Sequence, residues 1–287
     1  MKAERHTKLT GILAPLLEIP EPPKQLYIEG QLPPLGTALL AVVGSRKFSS
    51  YGREACEKLI GGLSGSPISI VSGLALGMDS IAHKTALAAG LHTIAFPGSG
   101  LDSKFIHPRS NAPLADLIVK NGGALISEYD PTYPAAIYTF PRRNRIMAGF
   151  VKAVLVIEAG EKSGTRITAR LATEYNRDVL AVPGSIFSTQ SGGTNSLIKL
   201  GATPITCSND ILSALGLEPR EDGQRTLDFG TLSPLERKVV ELLQVEGLPR
   251  DELIRALDCQ VSDANIALAA LELKGIIMES LSEVHLA

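Results

Sequence analysis

The sequence contains no tryptophan, only three cysteines, and aromatic residues at 5% of its 287 positions. The cysteines, Cys56, Cys207 and Cys259, are far apart and odd in number, which favours free thiols over a disulfide framework or a zinc site. No apolar run reaches the roughly 18 residues of a membrane span, and the first residues lack the apolar core of a secretory signal. We therefore expect a cytoplasmic protein without a membrane segment.

Several signatures of enzymes and nucleotide-binding proteins are also missing. The sequence has no Gly-x-Gly-x-x-Gly dinucleotide fingerprint, no Gly-x-x-x-x-Gly-Lys-Ser/Thr loop for ATP phosphates, and no Gly-x-Ser-x-Gly nucleophile elbow. No metal-ligand pattern occurs, so we expect neither a metal nor a cofactor. A hydrophobic fraction of 44% with 20% charged residues excludes disorder and allows a large core.

Short apolar runs that end in Gly, Ser or Pro alternate with helix-like stretches. This alternation predicts an α/β fold with an extended Rossmann-like, doubly wound, mostly parallel sheet. Ligands of such sheets bind beyond the carboxyl ends of the strands. The runs lie at residues 39–43, 68–71, 92–96, 124–126, 154–157 and 179–182, with a weaker seventh at 204–207.

The chain divides into four predicted segments. Residues 1–36 are a proline-rich N-terminal extension that packs on the core, and residues 37–215 form the Rossmann-like domain. Residues 216–230 are polar and rich in turn formers, which indicates a linker. Residues 231–287 show three helices and a terminal strand, typical of a small winged helix-turn-helix domain.

The charge of −2 is unevenly distributed. Residues 231–287 hold five Lys/Arg against ten Asp/Glu, and their third helix contains no arginine, so this domain is predicted to bind protein rather than duplex DNA. Residues 131–170 hold seven basic groups against two acidic ones. That cluster, with Phe140 beside three arginines just before a buried strand, indicates a polyanion site; the competing interpretation is an ordinary solvated charged face.

Two further motifs follow predicted strands. Gly44-Ser45-Arg46 lies between the first strand and a helix, where a glycine lets an anion approach the backbone, although a structural turn is about as consistent with it. Asp79 and His83 are spaced i,i+4 on one helix face. They suggest an acid–base pair or half a metal site, but a polar cap that holds the loop is the favoured interpretation.

Taken together, these segments resemble the DprA/Smf family of DNA-processing proteins from about Tyr27 to Leu215. The matching runs are residues 42–46, 72–83, 98–102, 126–128, 140–145, 158–160 with 163–165, and 182–185, followed by shorter matches at 193–195, 197–198 and 201–202. The acidic tail resembles the family's C-terminal winged-helix domain. Leu76 and residues 106–108 depart from the family pattern.

The resemblance implies a single-stranded DNA-binding protein, not an enzyme, that forms a homodimer, protects incoming DNA in natural transformation and helps load the RecA recombinase. It also implies a DNA groove around the Gly-Ser-Arg turn and the Phe-Pro-x-Arg-Asn-Arg segment. The predicted site residues are Gly44, Ser45, Arg46, Lys47, Phe140, Arg142, Arg143, Asn144, Arg145, Lys162, Ser163, Gly164, Thr165 and Arg166.

The competing function is enzymatic. Phosphoribohydrolases of the same superfamily carry Pro-Gly-Gly-x-Gly-Thr-x-x-Glu, in which the glutamate is catalytic, and this run resembles residues 160–168 here. Thr168 occupies the place of the glutamate, and a threonine hydroxyl cannot act as a carboxylate base at neutral pH. A nucleoside-monophosphate hydrolase and a mononucleotide sensor that acts through the tail are therefore the two alternatives.

Overall fold

A computed structural model of the protein describes residues 3–160, 163–219, 232–244, 247–280 and 283–286. The chain divides into two compact units, Met1–Pro219 and Arg220–Ala287. The predicted linker at 216–230 lies mostly outside the described residues. No helix within the described ranges is long and apolar enough to cross a bilayer.

A nine-stranded sheet forms the centre of the first unit. Its strands are β1 (Glu4–His6), β2 (Leu26–Gly30), β3 (Ala38–Val43), β4 (Ile68–Ser72), β5 (His92–Ala95), β6 (Ala124–Ser127), β7 (Ala153–Val156), β8 (Asp178–Ala181) and β9 (Thr203–Pro204). They lie in the order β1-β2-β6-β5-β4-β3-β7-β8-β9. Every neighbouring pair from β6 to β9 is parallel.

The parallel strands form where the sequence is almost continuously apolar. All residues of β4, β6 and β7 are buried, because helices cover both faces of the sheet. Six of the predicted runs coincide with strands, and the weaker seventh, predicted at 204–207, overlaps the two-residue strand β9 only at Pro204. The predicted α/β fold is confirmed.

The N-terminal segment contributes two strands that the sequence did not predict. β2 pairs antiparallel with β6, and β1 pairs antiparallel with β2, so the sheet is mixed. A 3-10 helix at Gly11–Leu17 buries Leu13 and Leu16 in the core. The proline-rich composition of this region concealed its strands, because proline is common only at strand edges and in turns.

Helices cover both faces of the sheet. They are α1 (Ser50–Gly61), α2 (Met78–Ala88), α3 (Ala112–Lys120), α4 (Thr139–Phe150), α5 (Thr165–Glu174), α6 (Gly192–Lys199) and α7 (Ser208–Ala214). Apolar residues of α1, α2 and α7 share one core, and those of α4 and α5 share another with the N-terminal segment. All three cysteines are free, and burial raises the pKa of the Cys56 thiol.

The second unit has its own hydrophobic core. It contains α8 (Pro234–Leu243), α9 (Arg250–Ala256) and α10 (Val261–Leu273), with a small sheet of β10 (Leu248–Pro249), β11 (Ile277–Ser280) and β12 (Glu283–Leu286). Ser233 caps α8: its hydroxyl accepts a hydrogen bond from Glu236 N at 3.2 Å, and Ser233 N donates to the Glu236 carboxylate at 2.7 Å. The predicted winged-helix fold is confirmed, with a β11–β12 hairpin where only one strand was expected.

Candidate nucleic-acid interface

A cleft of about 600 Å³ opens at the carboxyl edge of the sheet, where β3 pairs with β4 on one side and β7 on the other. Crossovers leave β3 in opposite directions here, and open α/β sheets bind their ligands at such a point. Ten of the fourteen predicted site residues line the cleft: Gly44, Ser45, Arg46, Lys47, Phe140, Arg143, Asn144, Ser163, Gly164 and Thr165.

The turn after β3 forms one wall and is held by close packing. A Cβ on Gly44 would lie 2.6 Å from Met78 Cγ, and Gly77, at φ +82°, would place a Cβ 2.6 Å from Arg46 O. Met78 N donates to Ser45 O at 3.2 Å, and Ser45 Oγ donates to Lys47 O at 2.6 Å. This packing fixes the turn while leaving the side chains of Arg46 and Lys47 exposed.

Glu158 anchors the far end of the same loop. Its carboxylate, only 1% exposed, accepts hydrogen bonds from Ser49 Oγ at 2.5 Å and from Ser49 N at 2.9 Å. Ser49 in turn caps α1, because its hydroxyl accepts from Gly52 N at 3.1 Å. Glu158 therefore positions the loop 44–49 and does not face the cleft as a free acid.

The Phe-Pro-x-Arg-Asn-Arg segment is helical and forms the first two turns of α4. Phe140 is half-buried: its ring packs against Gly98 and lies 5.7 Å from the ring of His107. Pro141 lines the cleft beside it. Arg142 is exposed but is not among the residues that line the cleft.

Arg143 is buried, with 7% of its surface exposed, and forms part of the floor of the cleft. Its Nη1 donates to Gly73 O and Phe96 O, and its Nε donates to Asn144 Oδ1 at 2.9 Å. Burial lowers the pKa of this guanidinium, and the charge of Asp79 acts in the opposite direction. The structure thus gives Arg143 a supporting role, because a phosphate would have to compete with these partners.

Arg145 also has partners within the protein. It donates to Glu21 O and forms an ion pair with Glu128 at 2.7 Å, in which the two side chains are 13% and 16% exposed. This pair joins α4 to the end of β6 and to the N-terminal segment. Arg145 therefore lies away from the cleft, and of the three clustered arginines only Arg142 has an exposed side chain.

The opposite wall comes from the start of α5. Thr165 Oγ1 donates to Gly44 O at 3.2 Å, which joins this wall to the turn after β3, and Thr165 N donates to Ser163 Oγ at 3.2 Å. Arg166 lies outside the cleft and lines a neighbouring groove of about 850 Å³ between α5 and α6. Lys162, also a predicted site residue, lies outside the described residues.

Three helices begin at the cleft. Asp79 lies in the first turn of α2, Phe140 and Pro141 in the first turn of α4, and Gly164 caps α5. The amino ends of helices carry partial positive charge and unpaired N–H groups, which favour anions. Together with exposed Arg46 and Lys47, they give the cleft the character of a polyanion site.

Asp79 and His83 stabilise the structure next to the cleft. Asp79 accepts hydrogen bonds from Gly73 N at 3.1 Å and Ala75 N at 3.2 Å, and burial raises its pKa while Arg143 lowers it. His83 bonds Thr93 Oγ1 at 2.8 Å, and burial, with the charge of Arg143, lowers its pKa to about 3. No group of three potential metal ligands occurs among the described residues.

Some residues that line the cleft were not predicted from sequence. They are Val43, Ala75, Asp79, Pro141, Met147, Gly160, Ile167, Thr168 and Gln190. Most lie within two or three positions of a predicted residue, so a wider window around each motif finds them. Gln190 comes from the loop after β8. The one sequence signal for it was that this loop follows a predicted parallel strand and so lies at the carboxyl edge of the sheet.

Comparison with known protein families supports a relationship to DNA-processing proteins. The family model for DNA recombination-mediator protein A matches residues 11–216. The chain belongs to the DprA/Smf family. A second model, the DprA winged helix domain, matches residues 229–280. The family predicted from the sequence motifs is therefore confirmed.

Curated DprA/Smf relatives align with about 70% of the chain. The chain is 44% identical over 200 residues to protein Smf of Escherichia coli, an alignment that covers 70% of this chain and 53% of that protein. It is 43% identical over 198 residues to the DNA processing protein DprA of Streptococcus pneumoniae, covering 69% of each. The alignment thus spans about half the length of the Escherichia coli relative.

Solved DprA structures share the fold. The Streptococcus pneumoniae DprA structure superposes with a TM-score of 0.69 at 40% identity and covers 74% of each chain. DprA of Helicobacter pylori, whose structure describes its single-stranded DNA binding mode, gives a TM-score of 0.64 at 29% identity and covers 75% of this chain and 98% of that one.

Substitutions of the two adjacent arginines, Arg142 and Arg143, should differ greatly in their effect on stability. Arg143→Ala should lower the free energy of unfolding by about 3–5 kcal/mol, because it leaves buried acceptors and Asp79 without their partner. Arg142→Ala, at an exposed position, should change it by no more than about 0.5 kcal/mol. Urea unfolding followed by tyrosine fluorescence measures this, since all six tyrosines lie in the first unit. Equal unfolding midpoints for the two variants would contradict the assignment.

Proposed function

We propose that this protein binds single-stranded DNA in the cleft, without sequence preference and without catalysis. The observation that carries the proposal is the convergence of the turn after β3, with exposed Arg46 and Lys47, on the amino ends of α4 and α5. Family membership and the single-stranded DNA binding mode described for the Helicobacter pylori relative support it.

Different groups in the cleft suit different parts of a nucleotide. Arg46 and Lys47 neutralise phosphates, and the backbone N–H groups at the start of α5 bind phosphate oxygens. The ring of Phe140 stacks on a base, which tolerates any base because each has a π face. Arg143 donates hydrogen bonds to backbone carbonyls and Arg145 forms an ion pair with Glu128, so we propose that both stabilise the position of α4.

The wider role that we propose follows the family. The protein protects incoming single strands in natural transformation and helps to load the RecA recombinase, in the cytoplasm and as a homodimer. The basis for these statements is the resemblance of the motifs and the two family matches.

We also propose that the winged-helix unit contacts protein rather than duplex DNA. Its described cations are largely engaged: Arg250 pairs with Glu272 and Glu279 at 3.4 and 3.2 Å, and Lys274 pairs with Glu236 at 2.6 Å. On α10, the helix that would read DNA in such a fold, Ile266 and Leu273 are 68% and 91% exposed. An exposed apolar stripe on an acidic unit suits a protein partner.

The cleft predicts a defined salt dependence of DNA binding. Arg46→Ala should weaken binding of an oligothymidylate and reduce the slope of log affinity against log salt by about 0.7–1, because one phosphate contact is lost. Fluorescence anisotropy at several salt concentrations measures this. Lys120→Ala is the control, because it removes an exposed cation at the end of α3, near the amino edge of the sheet and away from the cleft. It should change neither the affinity nor the salt slope. If both variants behave like the parent protein, Arg46 does not contact phosphate.

Removal of the acidic unit should leave single-strand affinity nearly unchanged. Deleting residues 231–287 removes a segment with a net charge of −5, which offers little attraction to phosphate. The same anisotropy titration compares the shortened and full-length chains, with circular dichroism to verify that the shortened chain is folded. A loss of affinity of tenfold or more would show that the unit contributes to DNA binding.

Hydrolysis of nucleoside monophosphates is the enzymatic alternative, and the cleft offers little support for it. Thr168, 2% exposed, stands where the hydrolases have a glutamate, and Glu158 is bonded to Ser49. Asp79, the one carboxylate among the described residues that line the cleft, accepts two backbone N–H groups. We expect no free base above background after incubation with each nucleoside monophosphate, assayed by chromatography. Turnover that Glu158→Gln abolishes would establish the enzyme instead.

A further inference from the structure

A cluster of tyrosines lies between β6 and α4, outside the cleft. The rings of Tyr129 and Tyr133 stack with centroids 4.8 Å apart and planes 15° from parallel. The hydroxyls of Tyr133 and Tyr138 form a hydrogen bond of 2.5 Å. We call these three residues the tyrosine ledge.

The ledge is held rigidly against the loop that follows β5. Gly100 N donates to Tyr133 O at 2.8 Å, and Asp102 N donates to Pro131 O at 2.9 Å. Next to the ledge, Thr139 Oγ1 donates to Gly98 O at 2.5 Å. These contacts fix the backbone that carries the rings before any ligand arrives, which reduces the entropic cost of binding.

Aromatic surface and positive charge are exposed together at the ledge. Tyr138 is 53% exposed and its neighbour Ile137 is 91% exposed. Arg142 follows Tyr138 by four residues, on the exposed side of α4. It is close enough to the ledge for its charge to lower the pKa of Tyr129 and of Tyr133. Burial raises the pKa of Tyr129 to about 12, and the charge of Glu128 adds to this, whereas Arg142 acts in the opposite direction.

We propose that the tyrosine ledge and Arg142 form a second stacking subsite, which takes the nucleotide that follows those held in the cleft. The proposal rests on the function proposed above. Tyr138 precedes Phe140 by two residues, a span of at most about 7 Å, so a strand that leaves the cleft over Phe140 meets the ledge next. Exposed rings beside a guanidinium suit bases and phosphates of single-stranded nucleic acid.

The ledge also explains why Arg142 lies outside the cleft although it belongs to the basic motif. A guanidinium one helical turn beyond Tyr138 reaches a phosphate that flanks a base stacked there. Arg46 and Lys47 serve the cleft, and Arg142 serves the adjoining segment of the same strand. The two subsites together make a longer path than the cleft alone.

Oligonucleotides of two lengths distinguish the subsites. We expect Tyr138→Leu to weaken binding of an oligothymidylate of about 16 nucleotides by about tenfold, while one of about four nucleotides, which fills the cleft alone, binds as before. Tyr138→Phe, which keeps the ring, should stay within about twofold of the parent. Ile137→Ala, at the neighbouring and more exposed position, removes a side chain without a π face; it is the control and should have no effect.

Intrinsic fluorescence provides an independent readout of stacking. The chain has six tyrosines and no tryptophan, so tyrosines dominate its emission, and three of them form the ledge. The long oligonucleotide should quench this emission more than the short one, and Tyr138→Leu should remove most of the difference. Thermal unfolding of each variant verifies that the first unit is intact.

The outcomes separate this inference from the proposed function. If Tyr138→Leu binds the long oligonucleotide like the parent while Arg46→Ala weakens both lengths, the ledge is not a subsite and the cleft remains a DNA site. If Tyr138→Leu weakens both lengths equally, the ledge acts only by shaping the cleft, and the proposal is overturned. If the parent protein binds neither length, the proposed function itself is wrong.

Discussion

The buried guanidinium of Arg143 holds together the loops that form the cleft. From α4 it donates to Gly73 O, after β4, and to Phe96 O, after β5, and it shares a low-dielectric environment with Asp79. A guanidinium has five donors and keeps its charge, so its burial is tolerable only if these acceptors are present. The position of Phe140 over Gly98, and hence the shape of the cleft, depends on this set of contacts.

The arginines next to Phe140 illustrate how a helix distributes adjacent residues. Successive residues on a helix are separated by about 100°, so Arg142, Arg143 and Arg145 emerge toward solvent, the sheet and the N-terminal segment respectively. One sequence cluster therefore serves three purposes. The exposed charge on the wall of the cleft comes instead from Arg46 and Lys47, which are distant in sequence but lie at the end of the central strand.

Parts of this fold were predictable because local chemistry dictates them. The buried parallel strands are almost continuously apolar, and the turn signals after them mark the edge where the cleft opens. β1 and β2 were not predicted because their own sequence is mixed and their stability comes from pairing: β2 pairs with β6, which is distant in the chain, and β1 pairs with β2. The segment before β7 is helical although it contains Pro141, because proline is tolerated in a first helical turn.

The amino-acid sequence by itself determined the α/β architecture and the elements whose loops meet at the cleft, because apolar periodicity and glycine-rich turns are local properties. The family followed from the resemblance of its motifs. Only the tertiary structure decided which basic residues face solvent. Burial, and hydrogen bonds between residues 47 to 124 positions apart in the chain, tie up Arg143 and Arg145. Residue type alone does not report such contacts, since an arginine has the same charge whether it supports a cleft or lines it.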